Sequence, residues 1–404
     1  MNAYQIAKDT YWVGVVDYDH HDFHGYSRAP EGTTYNAYLI TDEKNVLIDT
    51  VPDGVGKTLL CRLAHVLPPN KIDYLVCNHM ELDHEGALEE IINACQPEKI
   101  FCSPMALKSM EGYYGAKMKN WPVQAVKSGG VVSIGEKSLV FQETRMLHWP
   151  DSMVTYCPET RILFSQDAFG QNIASSERFA DEWDHGDVVH RAKEYFFNII
   201  VPYAKHVINS FSIINKLDIE MIAPDHGLIW RGEGVKEVLG LYMEMSAQKP
   251  RQRAVIIYDT MWKSTLHLAY AVAGGLEENG VPANIMSVKV NHHSAVMTAL
   301  ADASALAVGS PTHNNGILPY IMSTLTYIKG LRPNLLVGGS FGSYGWSGEA
   351  PKLIQEYLAG MNIEMPHDPV RVHWRPKHAD LANAHQLGKA MADCLKAKCD
   401  AGIA

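Results

Sequence analysis

His79-Met80-Glu81-Leu82-Asp83-His84 places four metal-capable side chains within six positions. The stretch follows Asp73 to Cys77, an apolar run that reads as a buried strand. It precedes Glu85 to Ala94, which reads as a helix. A loop between such elements can turn His79, Glu81 and Asp83 toward one point. Asp83 and His84 can then serve adjacent ions. Three further candidates each end an apolar segment: His148 in RMLHWPDS, Asp167 in ILFSQDAFG and His226 in MIAPDHG. Each sits where a strand delivers a side chain to a sheet edge.

The donor types indicate the metal. Imidazoles mixed with carboxylates, without thiolate, suit borderline or hard ions. A shared carboxylate can hold two ions about 3.5–4 Å apart, and Asp167 is the expected bridge. One isolated histidine would more often be packed in a core, but the whole set with its spacing reads as a metal cage.

The remainder of the chain fits this picture. Its 404 residues suggest two domains. Hydrophobic residues at 47% and charged residues at 20% are ordinary for a globular protein. A formal net charge of -10 disfavours a nucleic-acid partner. Seven cysteines contain no Cys-x-x-Cys pair, which excludes a zinc ribbon or a rubredoxin-type centre within the chain. Their odd number fits a reducing compartment, and Cys394 and Cys399 are read as incidental. Met1 to Gly14 has no basic start followed by an apolar run, and no stretch approaches the ~20 apolar residues of a membrane span. A cytoplasmic protein is expected.

In the first half, strands are expected at Tyr35 to Ile40, Asn45 to Asp49, Lys99 to Cys102, Val131 to Ile134, Leu139 to Glu143, Val154 to Cys157 and Arg161 to Ser165. Helix is expected from His190 to Lys216. Gln248 to Arg253 (QKPRQR) reads as a linker. Beyond it, strands at Ala254 to Tyr258, Ala283 to Val288, Ala305 to Gly309, Leu335 to Gly339 and Val370 to His373 alternate with helices, the last after Lys377. That alternation predicts a doubly wound parallel sheet.

Three loops of this half carry a second constellation. In the first, Thr260, Met261, Trp262, Ser264 and Thr265 open a helix. Its free N–H groups and hydroxyls make an anion site, with Thr260, Ser264 and Thr265 as donors. The second loop is Ser310, Pro311, Thr312, His313, Asn314, Asn315 and Gly316. The third is Ser340, Phe341, Gly342, Ser343, Tyr344, Gly345, Trp346, Ser347 and Gly348. Glycines allow close approach to a planar ligand, and Trp346 can cover a ring. In a sheet of order 2-1-3-4-5 these loops converge where flavodoxin binds FMN.

HMELDH with His148, Asp167 and His226, followed by three flavodoxin-like loops, resembles the flavodiiron protein family over essentially the whole chain. The resemblance implies an α/β protein: a metallo-β-lactamase-like αββα domain over 1–249 and a flavodoxin-like domain over 250–404. It implies two iron ions, one on His79, Glu81 and His148, the other on Asp83 and His226, with Asp167 between them. His84 either ligates or turns away. The zinc hydrolases of this superfold carry histidine where Glu81 stands, and the extra carboxylate suits ferric iron. The implied cofactors are the iron pair and FMN. The implied reaction is four-electron reduction of dioxygen to water, or reduction of nitric oxide to nitrous oxide. Electrons are expected from a separate rubredoxin, in a head-to-tail homodimer. Rival readings are a dizinc hydrolase and a non-enzymatic flavin electron carrier. Near the cage, Trp149 is a candidate wall, and His24 and Tyr26 are candidate proton donors. His20 and His21 read as a solvated loop. His293 could lie near the flavin.

Overall fold

The computed structural model describes residues 2–401, which divide into two compact units. The first comprises residues 2–23 and 29–246, and the second residues 24–28 and 247–401.

The first unit contains two sheets. One has seven strands in the order Tyr4–Ala7, Thr10–Trp12, Tyr38–Ile40, Val46–Ile48, Tyr74–Cys77, Lys99–Cys102 and Val123–Ala125. The last four run parallel. The other has six, in the order Gly130–Ser133, Ser138–Glu143, Met153–Cys157, Ile162–Gln166, Met221–Pro224 and Trp230–Arg231. Alternation along each strand gives every sheet two apolar faces. Tyr38, Ile48, Val76, Phe101, Phe141 and Phe164 bury one interface between the sheets. On the outer face of the seven-stranded sheet, Leu39, Leu47, Leu75 and Ile100 pack with Leu59, Leu63, Leu88 and Ile91. The last four residues come from the helices Gly56–Val66 and Leu88–Cys95. This is a layered α/β arrangement with its sheets face to face.

Topology positions the site. The parallel strands Val46–Ile48 and Tyr74–Cys77 end together, delivering Asp49 and then Asn78 and His79. The parallel pair Ile162–Gln166 and Met221–Pro224 delivers Asp167, and then Asp225 and His226.

Several elements depart from the sequence expectation. The strand expected over 35–40 is broken. Thr33–Tyr35 pairs with Val15–Asp17, and Tyr38–Ile40 joins the main sheet. Asn36 causes the break by bonding outward: its Nδ2 donates to the carbonyls of Pro224 (2.7 Å) and Gly227 (3.0 Å), and Trp12 Nε1 donates to its Oδ1. The helix expected over 85–94 is a single turn, Leu82–Glu85, followed by Leu88–Cys95, because Ala87 N donates to Val51 O. The long helix expected over 190–216 is four pieces. His185–Tyr195 is followed by a π turn at Phe196–Ile200, a tight turn at Val201–Tyr203 and the helix Ala204–Ile214. Pro202 supplies no N–H to carry the helix through. His20 is not solvated: it is half-buried and packs edge-on against Phe23 and Tyr35.

The second unit holds one parallel sheet in the order Ala283–Ser287, Ala254–Tyr258, Ala305–Gly309, Val337–Tyr344, Val370–His373. This is the expected 2-1-3-4-5 order. The helices Ser264–Glu278 and His378–Asp400 pack together on one face, contributing Leu268, Val272, Leu387 and Met391 to a core with Ile256, Ala307 and Phe341. The fourth strand is longer than expected and absorbs Ser340 to Tyr344, which the sequence suggests as loop. Glycine is required within it by crowding rather than by a turn: a Cβ on Gly342 would lie 1.8 Å from Ser310 O. No helix among the described residues is long and apolar enough to cross a membrane.

Candidate metal and flavin sites

The HMELDH loop is held from below. Asp49 accepts hydrogen bonds from Asn78 N (2.6 Å) and Asn78 Nδ2 (2.7 Å), and Thr155 Oγ1 donates to Asn78 Oδ1 (2.7 Å). Met153 N donates to Asn78 O. Asn78 therefore ties the loop to both sheets, and all three side chains are fully buried. On the opposite wall Asp167 N donates to Gln166 Oε1, while Gln166 Nε2 donates to Leu147 O. One glutamine thus sets the spacing of the Asp167 and His148 loops.

All seven expected ligand residues meet at this place. Asp167 Oδ2 lies 2.7 Å from His148 Nε2 and 3.4 Å from His79 Nε2. Glu81 Oε2 closes that trio, 3.2 Å from His148 Nε2 and 3.9 Å from His79 Nε2. The other oxygen, Asp167 Oδ1, lies 3.2 Å from His84 Nε2 and 3.5 Å from His226 Nε2. Asp83 completes the second trio, at 3.5 Å from His84 Nε2 and 3.3 Å from His226 Nε2. Each oxygen of one carboxylate faces its own set of donors. His84 Nε2 is turned inward, 3.1 Å from His226 Nε2.

The arrangement fits a pair of cations. Among the described residues His79 Nε2, Asp83 Oδ1 and Asp167 Oδ1 are buried without a hydrogen-bond partner, which is costly unless something charged meets them. His226 Nδ1 donates to Thr34 O at 2.7 Å, leaving its Nε2 lone pair for a metal. Burial alone would raise Asp167, but the neighbouring imidazoles, His79 first and then His148 and His84, hold its carboxyl well below the usual range. Burial would likewise raise Asp83, yet His84 and His226 hold it at about 2. His148 is opposed by burial but carried up to about 9 by Asp167 and Glu81.

Residues that sequence reading missed surround the cage. Tyr35 sits edge-on to His226 (5.7 Å between centroids) and His84, Tyr195 lies 5.9 Å from His226, and Tyr203 lies 6.3 Å from His148. Burial, and then nearby carboxylates, raise the phenols of Tyr35 and Tyr195 far above neutrality. Buried Asp225 lies behind His79 and His84. No spacing signal marks these residues, because buried tyrosines and lone acids occur throughout ordinary cores. His24 and Tyr26, expected near the cage, group with the second unit and stack on each other at 6.3 Å. In the same unit His293 Nε2 donates to Tyr26 O at 2.8 Å. Trp149 is half-buried beside His148 in the chain, and its N donates to Ser152 Oγ.

The second unit opens a cleft of about 440 Å³ at the carboxyl ends of its strands. Thr260, Met261, Trp262, Ser264, Pro311, Thr312, His313, Asn314, Ser343, Tyr344, Gly345 and Trp346 line it. Trp374 and Arg375, which the sequence did not suggest, complete it. Trp262, Trp346 and Trp374 are strongly exposed. A planar aromatic ligand would cover them, as expected of a site for flavin. Thr265 does not line the cleft, but its buried hydroxyl in the first turn of the Ser264–Glu278 helix has no partner among the described residues.

The other expected contacts are placed differently. Phe341 is fully buried in the core, and Ser340 and Gly342 are strand residues beside it. Ser310 Oγ is occupied within its own loop, donating to Pro311 O and accepting from Leu318 N. Asn315, Gly316 and Gly348 lie outside the lining. They shape turns: Asn315 and Gly348 have φ of 57° and 83°, and Gly316 pairs with His313.

A thiolate-free, two-ion cage in a layered α/β unit, joined to a flavodoxin-type sheet, defines a metalloflavoprotein. Residues 33–227 match the model of the ODP family beta lactamase, and residues 256–387 that of flavodoxin. The chain is 47% identical to the rubredoxin-oxygen oxidoreductase of Megalodesulfovibrio gigas, over 98% of this chain and 99% of that one. The solved structure of the Desulfovibrio gigas enzyme superposes with a TM-score of 0.95 over the same shares. The flavodiiron protein of Giardia intestinalis, 30% identical, superposes at 0.93, covering 100% of this chain and 98% of that one. A nitric oxide reductase of Moorella thermoacetica is 40% identical over 96% of this chain and 97% of its own. The chain belongs to the flavodiiron protein family.

Proposed function

We propose that this enzyme reduces dioxygen to water at an iron pair, using electrons that enter through FMN from a separate rubredoxin. The observation that carries the reading is Asp167, whose Oδ2 faces His79, Glu81 and His148 while its Oδ1 faces Asp83, His84 and His226. When bound, the iron pair and the reduced flavin each supply two electrons, enough together for one dioxygen. The chain's own part is to orient and to enclose. Thr34 O fixes the tautomer of His226. Asp167 and Asp83 stay ionised at neutral pH. Tyr35 and Tyr195 keep their phenolic protons and wall the cage. Glu81 is the most exposed of the seven, with Asp83 and His148 next, and these three mark its open side.

The donor set favours iron over a dizinc hydrolase, because Glu81 adds a carboxylate and no thiolate is present. Rubredoxin is the proposed donor because the Megalodesulfovibrio relative, 47% identical, is named for that partner. A head-to-tail dimer, with the flavin of one copy beside the iron of its partner, is part of the proposal. So are the division at Gln248 to Arg253 and a cytoplasmic location, which suits seven unpaired thiols. Nitric oxide is the second reading, favoured by the Moorella relative's name. Anaerobic reduction with rubredoxin, followed by parallel consumption assays for both gases, tests the proposal. Oxygen uptake should vanish in Glu81→Ala and His226→Ala while FMN is retained. Uptake surviving in both variants contradicts it.

A further inference from the structure

Asp225 precedes the ligand His226 and is almost wholly buried, yet neither of its carboxyl oxygens has a hydrogen-bond partner among the described residues. Nδ1 of His79 and Nδ1 of His84 are among the other buried atoms in that condition. These orphans face one another. Asp225 Oδ2 lies 3.8 Å from His79 Nδ1 and 3.7 Å from His84 Nδ1. The opposite nitrogens of the same two rings point at different oxygens of Asp167, His79 Nε2 at Oδ2 and His84 Nε2 at Oδ1. The rings stand 4.9 Å apart, between the bridge and Asp225.

A histidine that holds a metal through one nitrogen donates its other N–H to an acceptor, which fixes its tautomer and its ring plane. His226 has such an acceptor in Thr34 O. The Nδ1 atoms of His79 and His84 have no hydrogen-bond partner among the described residues, and Asp225 Oδ2 faces both. One carboxyl oxygen has two lone-pair directions, so it can accept from both rings. We infer that Asp225 is the shared outer anchor of the cage, aiming His79 at one ion and His84 at the other. Asp225 itself is not a ligand, because the Nε2 atoms face away from it. It is a positioning residue, and through it the two ion sites have a common support. The inference also gives His84 a reason to stay turned inward.

This rests on the metal-cage reading, and the test separates the two. The probe is Co(II), titrated anaerobically into metal-free, FMN-loaded protein and followed by its visible absorption. Asp225→Leu fills a similar volume without an acceptor, and Asp225→Asn retains an oxygen. Wild-type protein should take up two Co(II) per chain. Asp225→Leu should bind both ions roughly 10- to 100-fold more weakly with an altered cobalt spectrum, while FMN content and the melting temperature of the metal-free protein are kept. Asp225→Asn should restore affinity to within a few-fold of wild type. Wild-type affinity and spectrum in Asp225→Leu overturn the anchor, and so does weakening of only one ion. Loss of fold in Asp225→Leu leaves the Asn variant to decide: an unchanged spectrum and near-native affinity support the anchor, and a loss as large as 10-fold overturns it. Fewer than two Co(II) in the wild type would overturn the cage and the anchor together.

Discussion

Raising the pH from 7 to 9 should tighten metal binding by the metal-free protein at least about a hundredfold. His148 carries the effect, because the charges of Asp167 and Glu81 lift its pKa from 6.5 to about 9. A metal takes only the neutral imidazole, so at pH 7 roughly one chain in a hundred is ready at this position. The logarithm of the affinity should therefore rise by about one for each pH unit up to 9. His79, also held well above its ordinary value, makes the slope steeper. Asp167 and Asp83 are held low, so they are ionised across this window and contribute no slope. Stability of the metal-free fold should move oppositely. A histidine whose folded pKa is raised stabilises the fold fully below 6.5 and loses that contribution as pH climbs through about 9. The interval corresponds to about 3 kcal/mol from His148, at about 1.36 kcal/mol per pH unit. The affinity assay is competition against a chelator of known proton dependence at half-unit steps from pH 6.5 to 9, and urea unfolding of the same samples gives the stability. A flat affinity profile, or a metal-free fold that gains stability toward pH 9, would refute the reasoning.

Three other outcomes are expected. Glu81→His should shift the metal content of purified protein from iron toward zinc, read by elemental analysis, because a carboxylate leaves the cage. Trp374→Ala should raise the FMN dissociation constant roughly tenfold by removing one wall of the cleft, measured by fluorescence recovery on flavin release. In Gly388→Ala a Cβ would lie 2.1 Å from Val272 O, forcing the Ser264–Glu278 and His378–Asp400 helices apart. The second unit should lose about 2 kcal/mol, seen as an earlier urea transition by flavin signal with metal content unchanged.

The ligands could be read from the sequence because each ends an apolar run, and strand ends are where a sheet presents chemistry. Asp167 and His226 follow this rule; His148 ends an apolar run but sits within the loop between the strands Ser138–Glu143 and Met153–Cys157, and the structure brings all three to the HMELDH loop. The residues that orient them could not be read this way. Asn78 and Asp49 act through hydrogen bonds across two sheets, and Asp225 acts through the rear of two rings; such pairings are tertiary facts. The flavin loops were located but their edges were not. Glycines from Gly338 to Gly345 suggest a loop, whereas Gly342 serves a crowded strand and carries Phe341 into the core. Trp374 and Arg375 follow the last strand without any glycine or hydroxyl cluster to announce a ligand site.

Counting iron in purified protein beside an Asp167→Ala variant tests the account most directly, since that one side chain faces both donor trios. The wild type should hold two irons and one FMN per chain, and the variant should hold at most one iron with its flavin undiminished. Two irons retained in Asp167→Ala, or fewer than two in the wild type, would contradict a cage built around a single bridging carboxylate.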